Sequence, residues 1–493
     1  MPRLTNSRSD LRPWVSACLL TLFPLLLWAQ APGDPRQPAN QFPAAKRTGP
    51  ESEEQKISPE EAEQLFHSVD EILHFDSKET GLPIRQTVKR RLTSRDEVVA
   101  YLQKNMSKDK DAQRLRRSEL VLKKFGLLPR DFDLQTFLLS LLREQVAGYY
   151  DPKTQTVNLL DWLGPEQQRP VLAHELTHAL QDQSFALDKW MKSDSADPDS
   201  GKQPTVADIE EDEVSEARQA VVEGQAMVTL IDYMLAPAGQ SLLASPQVAT
   251  ALKQGMLVGT SDSPQFQNAP LFLREALTFP YRYGLDFIAE LLRAGGKEKA
   301  FAGLFTNPPL NTRQIMEPRT YISAEQLQPL PLPDFQQDFG NYERFDVGSM
   351  GELDTATLIE QYAGAEASRE LYPYWRGGYY YAARPKGEPT APLALLYLSR
   401  WAGPEQAASF AAIYARAINQ RYGQVHESVS GAAKPFGDLS HLVTLTGVHT
   451  WLTEAGPVVI AVKNDMVLIT ESLDQPTTGK LQHELLPGPA AAK

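Results

Sequence analysis

Two histidines four residues apart, His174 and His178, bracket Glu175 in the segment V-L-A-H-E-L-T-H-A-L-Q-D-Q. On a helix, positions four apart share one face, so both imidazoles can grip a single Zn²⁺ while Glu175 stands beside the water that the metal activates. That is the chemistry of amide-bond hydrolysis. Pro170 is placed to open such a helix, because its missing N–H is no loss in a first turn, and Val171, Leu172, Leu176, Ala179 and Leu180 mark the helix as buried. A buried helix with two histidines and a glutamate left unpartnered loses on the order of 1–3 kcal/mol per group. One metal ion satisfies all three.

A catalytic zinc takes three protein ligands and keeps one position open. After His178 the next histidine is His426, and the position six beyond His178 is Ser184, which excludes a compact three-histidine site and points to a carboxylate. The segment Asp212 to Met227 reads as a second helix, with Glu216 and Glu223 seven apart on one face. Glu223 is the expected third ligand, because its neighbours Val221, Val222, Gly224 and Ala226 form an apolar setting in which an unpaired carboxylate is costly. Glu216, nearer the acidic run at Glu210 to Glu213, reads as a surface residue or one that supports the ligands from behind. Gly224 would let the second helix approach the first closely. Asp182 either accepts the outer N–H of a liganding imidazole or forms a solvated helix end.

H-E-L-T-H-A-L-Q-D resembles the zinc helix of the thermolysin-like gluzincins, and E-G-Q-A resembles their third-ligand segment. A wider stretch, from about Ala147 to Tyr321, resembles a group of bacterial extracytoplasmic proteins with zincin-like metallopeptidase domains. Three segments carry it: G-Y-Y-D-P at Gly148 to Pro152, P-Y-x-x-G at Pro280 to Gly284, and P-P-x-x-T-x-Q-I at Pro308 to Ile315. The resemblance implies a gluzincin-type peptidase with Zn²⁺ on His174, His178 and Glu223 and Glu175 as general base. In that group the last segment continues with His before Pro, whereas this chain has Glu317 before Pro318. The donor that steadies the oxyanion must then be sought elsewhere, among Tyr281, Tyr283 and Tyr321, and Tyr281 is the choice here. The competing function is an envelope binding or assembly protein on a zincin scaffold that no longer turns over, a reading against which the retained Glu175 speaks.

The elements that must position these groups are legible in part. V-A-G-Y-Y-D-P-K-T-Q-T-V-N-L-L reads as a hairpin turning at Asp151 to Thr154, whose strands Val146 to Tyr150 or Thr156 to Leu160 could pair with an extended substrate. Ser58 followed by Pro59-Glu60-Glu61 reads as a cap and first helical turn, and helices are expected over Leu92 to Phe125, Phe132 to Glu144, Ala269 to Phe287 and Asp286 to Phe305. Ser193 to Asp208 reads as a loop. The whole is expected to be α+β: a mainly helical zincin-like domain at 59–328 with a small hairpin or sheet, then a second α+β domain at 340–480 and a tail at 481–493. Prolines 329, 331 and 333 mark the break. In the second domain strands are expected over Tyr379 to Arg384, Leu393 to Trp401, Val448 to Glu454, Val458 to Lys463 and Met466 to Ser472, with a helix from Pro404 to about Arg421 and a turn at Asn464-Asp465.

Arg3, Arg8 and Arg12 precede an apolar run from Trp14 to Trp28 and an Ala29-Gln30-Ala31 cleavage signal, which predicts a signal peptide at 1–31 and an extracytoplasmic, periplasmic or secreted protein. Pro32 directly after Ala31 disfavours cleavage there, so an uncut segment that tethers the protein to the membrane is the alternative. Residues 32–58 are rich in Pro, Ala, Gln and charge and read as a disordered linker. Cys18 is the only cysteine, so the mature chain is expected to carry no disulfide. The formal net charge is −13, and loss of residues 1–31 removes three Arg and Asp10 and leaves −15. That acidity argues against nucleic acid as a partner and leaves a peptide or protein substrate.

Overall fold

A computed structural model describes residues 56–98, 100, 109–145, 148–192, 203–248, 250–251, 254, 264–429, 432–435 and 443–486. The expected signal peptide, nearly all of the linker, residues 193–202 of the expected loop and residues 487–493 of the tail lie outside that set. No helix among the described residues is long and apolar enough to cross a membrane.

The chain is α+β, as expected. Its N-terminal half holds α1 (Pro59–Thr80), β1 (Lys89–Thr93), α2 (Asp109–Phe125), α3 (Leu134–Gln145), the hairpin β2 (Tyr149–Asp151) and β3 (Thr156–Leu160), α4 (Pro165–Phe185), α5 (Val206–Leu235), α6 (Leu271–Ala300) and the short α7 (Thr312–Met316). Local chemistry sets the helix ends. Ser58 and Glu61 form a reciprocal capping box with Pro59 in the first turn, and Gly81 closes α1 at φ 74°. Thr205 and Asp208 form the same box on α5, which therefore starts inside the stretch read as a loop. Gly164 precedes α4, so Pro170 lies inside the helix rather than opening it.

β1 pairs in parallel with β3, and β3 pairs antiparallel with β2, giving the order β1-β3-β2. Leu92 thus belongs to a strand and not to the helix expected from it. α6 runs through the two helical segments expected separately as far as Gly296, whose φ of 70° breaks the helical path.

The C-terminal half is a wholly antiparallel eight-stranded sheet in the order β4-β5-β6-β11-β10-β9-β7-β8. Its strands are β4 (Tyr342–Ser349), β5 (Trp375–Pro385), β6 (Ala394–Trp401), β7 (Val425–Val429), β8 (Ala432–Pro435), β9 (Gly447–Thr453), β10 (Gly456–Lys463) and β11 (Met466–Glu471). Helix α8 (Glu352–Ala363) follows β4, α9 (Pro404–Arg421) follows β6, and α10 (Gln475–Leu485) ends the described chain, so residues 481–485 are helix and not tail. The central strands are buried on both faces, which explains their unbroken apolar composition. Leu395 and Tyr397 pack with Phe410 of α9, while Leu396 and Leu398 pack with Leu481 and Leu485 of α10. Asn464 turns the β10–β11 hairpin at φ 53°.

The halves meet on the N-terminal turns of α5. Ser349 Oγ donates to Ile209 O at 2.7 Å, and Leu353 N donates to the hydroxyl of Thr312, whose N–H and hydroxyl are in turn anchored on Glu213 Oε2 at 2.9 Å. Gly351 faces Glu213 so closely that a Cβ there would overlap the carboxylate. Below this junction α5 crosses α6, where Gly224 meets Gly284 backbone to backbone and Gly284 in turn faces the Ala220 carbonyl. Gly224 therefore serves the α5–α6 crossing, not the expected approach to the first metal helix.

Candidate metal centre

Helix α4 is buried from Pro170 through Gln181, so its polar side chains must find partners inside the protein. Its start is held by Gln168, whose amide accepts from Leu160 N at 2.9 Å and donates to Leu160 O at 2.9 Å and Leu163 O at 2.6 Å. This fixes α4 against the β2–β3 hairpin. Helix α4 also packs on α5.

That packing brings His174, His178 and Glu223 together with 0–2 % exposure. Their nearest atoms form a triangle: His174 Nε2 to His178 Nε2 is 3.1 Å, His174 Nε2 to Glu223 Oε2 is 3.1 Å, and His178 Nε2 to Glu223 Oε2 is 3.7 Å. Around a tetrahedral zinc with bonds near 2 Å the ligand atoms stand roughly 3.3 Å apart, so the three edges fit such an ion. Glu223 Oε2 and His174 Nδ1 are buried without a hydrogen-bond partner. The three residues can hold a metal ion.

Each ligand is steered from behind. His178 Nδ1 lies 2.9 Å from Gln181 Oε1, which makes Nδ1 the protonated nitrogen and turns Nε2 to the centre. The Gln181 amide donates to Val222 O at 3.1 Å and Gln225 Oε1 at 2.8 Å, and Gln225 donates onward to Ala300 O and Phe301 O at the end of α6. Gln219, one turn before Glu223, donates to Glu223 Oε1 at 2.8 Å and leaves Oε2 aimed at the triangle. The sequence reading passed over Gln181, Gln219 and Gln225. For Gln181 and Gln219 the signal was available in the helical spacing of three or four residues from a ligand; Gln225, two residues from Glu223, is reached only through Gln181.

Asp182, read as either an imidazole acceptor or a solvated helix end, accepts from Tyr150 OH and Leu187 N, each at 3.0 Å, and does not reach an imidazole. It acts one step away, because the Tyr150 N–H donates to Glu175 Oε2 at 2.8 Å while Glu175 Oε1 is buried with no hydrogen-bond partner. Tyr281 is buried beside His174, ring centroids 6.4 Å apart. The other two tyrosines engage elsewhere: Tyr283 lies under Arg282, and Tyr321 OH donates to Asn307 O at 2.6 Å. Glu216 does not reach the triangle. It is half-buried and lines a cavity one turn beyond Gln219. Glu317 borders a different, surface cavity with Asp286, Glu290 and Arg293.

Burial dominates the electrostatics. It pushes the Glu175 carboxyl up to about 8, against the opposing effects of the His178 charge and the Tyr150 N–H. Burial also disfavours a charged His178, but the Glu223 carboxylate overrides it and raises His178 to about 9, while burial lowers His174. Glu223 stays below the usual carboxylate range: burial works to raise it and the two histidines prevail. A metal would replace the His178 proton as the counter-charge to Glu223. No family model, curated protein or solved structure matches the chain.

Proposed function

We propose that the protein is an exported zinc peptidase. The observation that carries the reading is the coexistence of a metal-sized His174–His178–Glu223 triangle with a buried glutamate that holds one oxygen in reserve. A purely structural metal site has no use for Glu175. The resemblance of H-E-L-T-H and E-G-Q-A to gluzincin segments and the apolar run behind three N-terminal arginines support the same reading.

Zinc, when bound, supplies Lewis-acid activation of a water and of the substrate carbonyl. Tyr150 fixes Glu175 through Oε2, so Oε1 is the atom that takes the proton of the attacking water and delivers it to the leaving amine. A carboxyl raised by burial suits that double duty, because it accepts and releases a proton near neutral pH. Tyr281, buried next to His174, would donate to the developing oxyanion. Gln181 and Gln219 keep the ligand atoms aimed while the charge redistributes.

The test is zinc stoichiometry and hydrolysis of a mixed peptide library by the purified full chain and by Glu175→Gln. One tightly held zinc in both, with hydrolysis in the wild type and a loss of at least 10²-fold in the variant, is expected. Zinc bound with no hydrolysis in either overturns the reading in favour of a scaffold that binds without turnover.

A further inference from the structure

A cavity of about 230 Å³ lies beside the centre, and none of α4 lines it. Its floor is α5, where Asp212, Ser215, Glu216 and Gln219 follow one another at helical spacing on the stripe that ends at Glu223. Gln219 belongs to both places, lining the cavity and donating to Glu223 at 2.8 Å. Phe279 and Pro280 line it as well, and the next residue, Tyr281, stands beside His174. The remaining walls are mostly apolar, with Ser118, Ser349 and Asp354 among them, and come from three directions: Leu122 of α2, Leu138 of α3, and Met350 and Leu353 from the sheet half.

Two of the acidic groups on the floor already have partners. Asp212 faces Arg114 at 3.6 Å, and Glu213 accepts twice from Thr312. Asp354, on the opposite wall, accepts from Gly351 N at 3.1 Å, and the aliphatic and aromatic lining makes up most of what the space offers a ligand. An apolar void forfeits dispersion contacts along its whole lining, so a fold that keeps one against its reactive centre gains when a ligand fills it. Glu216 lies seven residues from Glu223, roughly 10 Å along the helix, which an extended peptide covers in about three residues.

We propose that this cavity is a substrate subsite that takes one bulky apolar side chain, of leucine to phenylalanine size, about three residues from the scissile bond. The C-terminal half completes it and so acts as a specificity element. The subsite rests on the reading of the centre as a peptidase, but its occupancy is measurable without turnover.

The probe is a set of blocked Ala/Gly hexapeptides with a single Phe moved along the chain, titrated calorimetrically into the zinc-loaded full-length Glu175→Gln protein. One position of Phe should bind at least about tenfold tighter than its Ala counterpart, the lower end of what burying an aromatic ring contributes. Ala276→Phe, which fills the cavity, should erase that preference and leave zinc affinity unchanged. Should that variant fail to fold, Leu138→Ala, which enlarges the same space, should move the preference from Phe towards Trp. Absence of any position-dependent preference, or a preference that survives both variants, overturns the subsite. If the preference appears while the wild type hydrolyses nothing, the subsite stands and the peptidase reading falls.

Discussion

Gly284→Ala separates two effects of opposite sign. Gly284 sits inside α6, and in an isolated helix replacing glycine by alanine gains about 1 kcal/mol. Here the added methyl would fall well inside 3.0 Å of the Ala220 carbonyl oxygen and within 3.3 Å of Ala220 Cα, so the helices must part by more than about 0.5 Å. Overpacking of that kind costs about 1–3 kcal/mol or more, and both sides of the contact are backbone, which cannot swing away. Set against the propensity gain, the net expectation is a loss of up to about 2 kcal/mol, a fall in Tm of up to roughly 6 °C for a unit of this size. Glu223 rides on α5 three residues after Ala220, and metal sites tolerate displacements of only about 0.5 Å, so zinc affinity should drop about tenfold or more. Thermal denaturation and competitive zinc titration read the two effects. A Tm raised by roughly 2–4 °C with zinc affinity unchanged, the outcome that helix propensity alone dictates, would refute the close-crossing argument.

Gln181→Leu removes the acceptor that orients His178 and should weaken zinc binding about 10- to 100-fold in a chelator competition, with the fold kept by far-UV circular dichroism. Removing the metal should itself cost stability: with zinc at about 1,000 times its Kd the bound protein gains about 4 kcal/mol, so stripping it with a chelator should lower Tm by roughly 10 °C, and an unchanged Tm would rule out a tightly held ion. In the C-terminal half burial works to raise Glu471, but the Arg421 and Lys124 charges hold it at about 2. Its contribution is full above the ordinary carboxylate value of 4.5 and is lost as pH falls from there towards 2, on the order of 3 kcal/mol in all. Urea midpoints measured across that window should fall steeply in the wild type and less so in Glu471→Gln.

Local signals were legible and distant ones were not. Spacing along single helices was enough to select His174, His178 and Glu223, because ligands four apart, or isolated among small apolar neighbours, announce themselves without knowledge of the fold. Strands buried on both faces, such as β6, β10 and β11, betray themselves by composition. β1 escaped because K-R-R-L-T is charged and mostly exposed, and only its parallel pairing with β3 makes it a strand. The partner of Gly224 could not be read from the chain, since Gly284 lies 60 residues on and the contact exists only once α5 and α6 cross. The role of Asp182, left open between imidazole acceptor and solvated helix end, was hidden for a related reason: Gln181 next door reaches the imidazole, and Asp182 is turned towards the hairpin.

The C-terminal end of α2 has a consequence for how the chain is made. Val121 and Phe125 are packed in the core of the sheet half, with the Phe125 ring edge-on to Tyr397 at 5.5 Å, and Lys124 pairs with Glu471 at 3.5 Å. During synthesis α2 emerges hundreds of residues before the last strand that receives it. Its apolar face must wait, uncovered, until β11 arrives, so this topology predicts slow maturation dominated by late long-range closure and a dependence on holding factors during biogenesis.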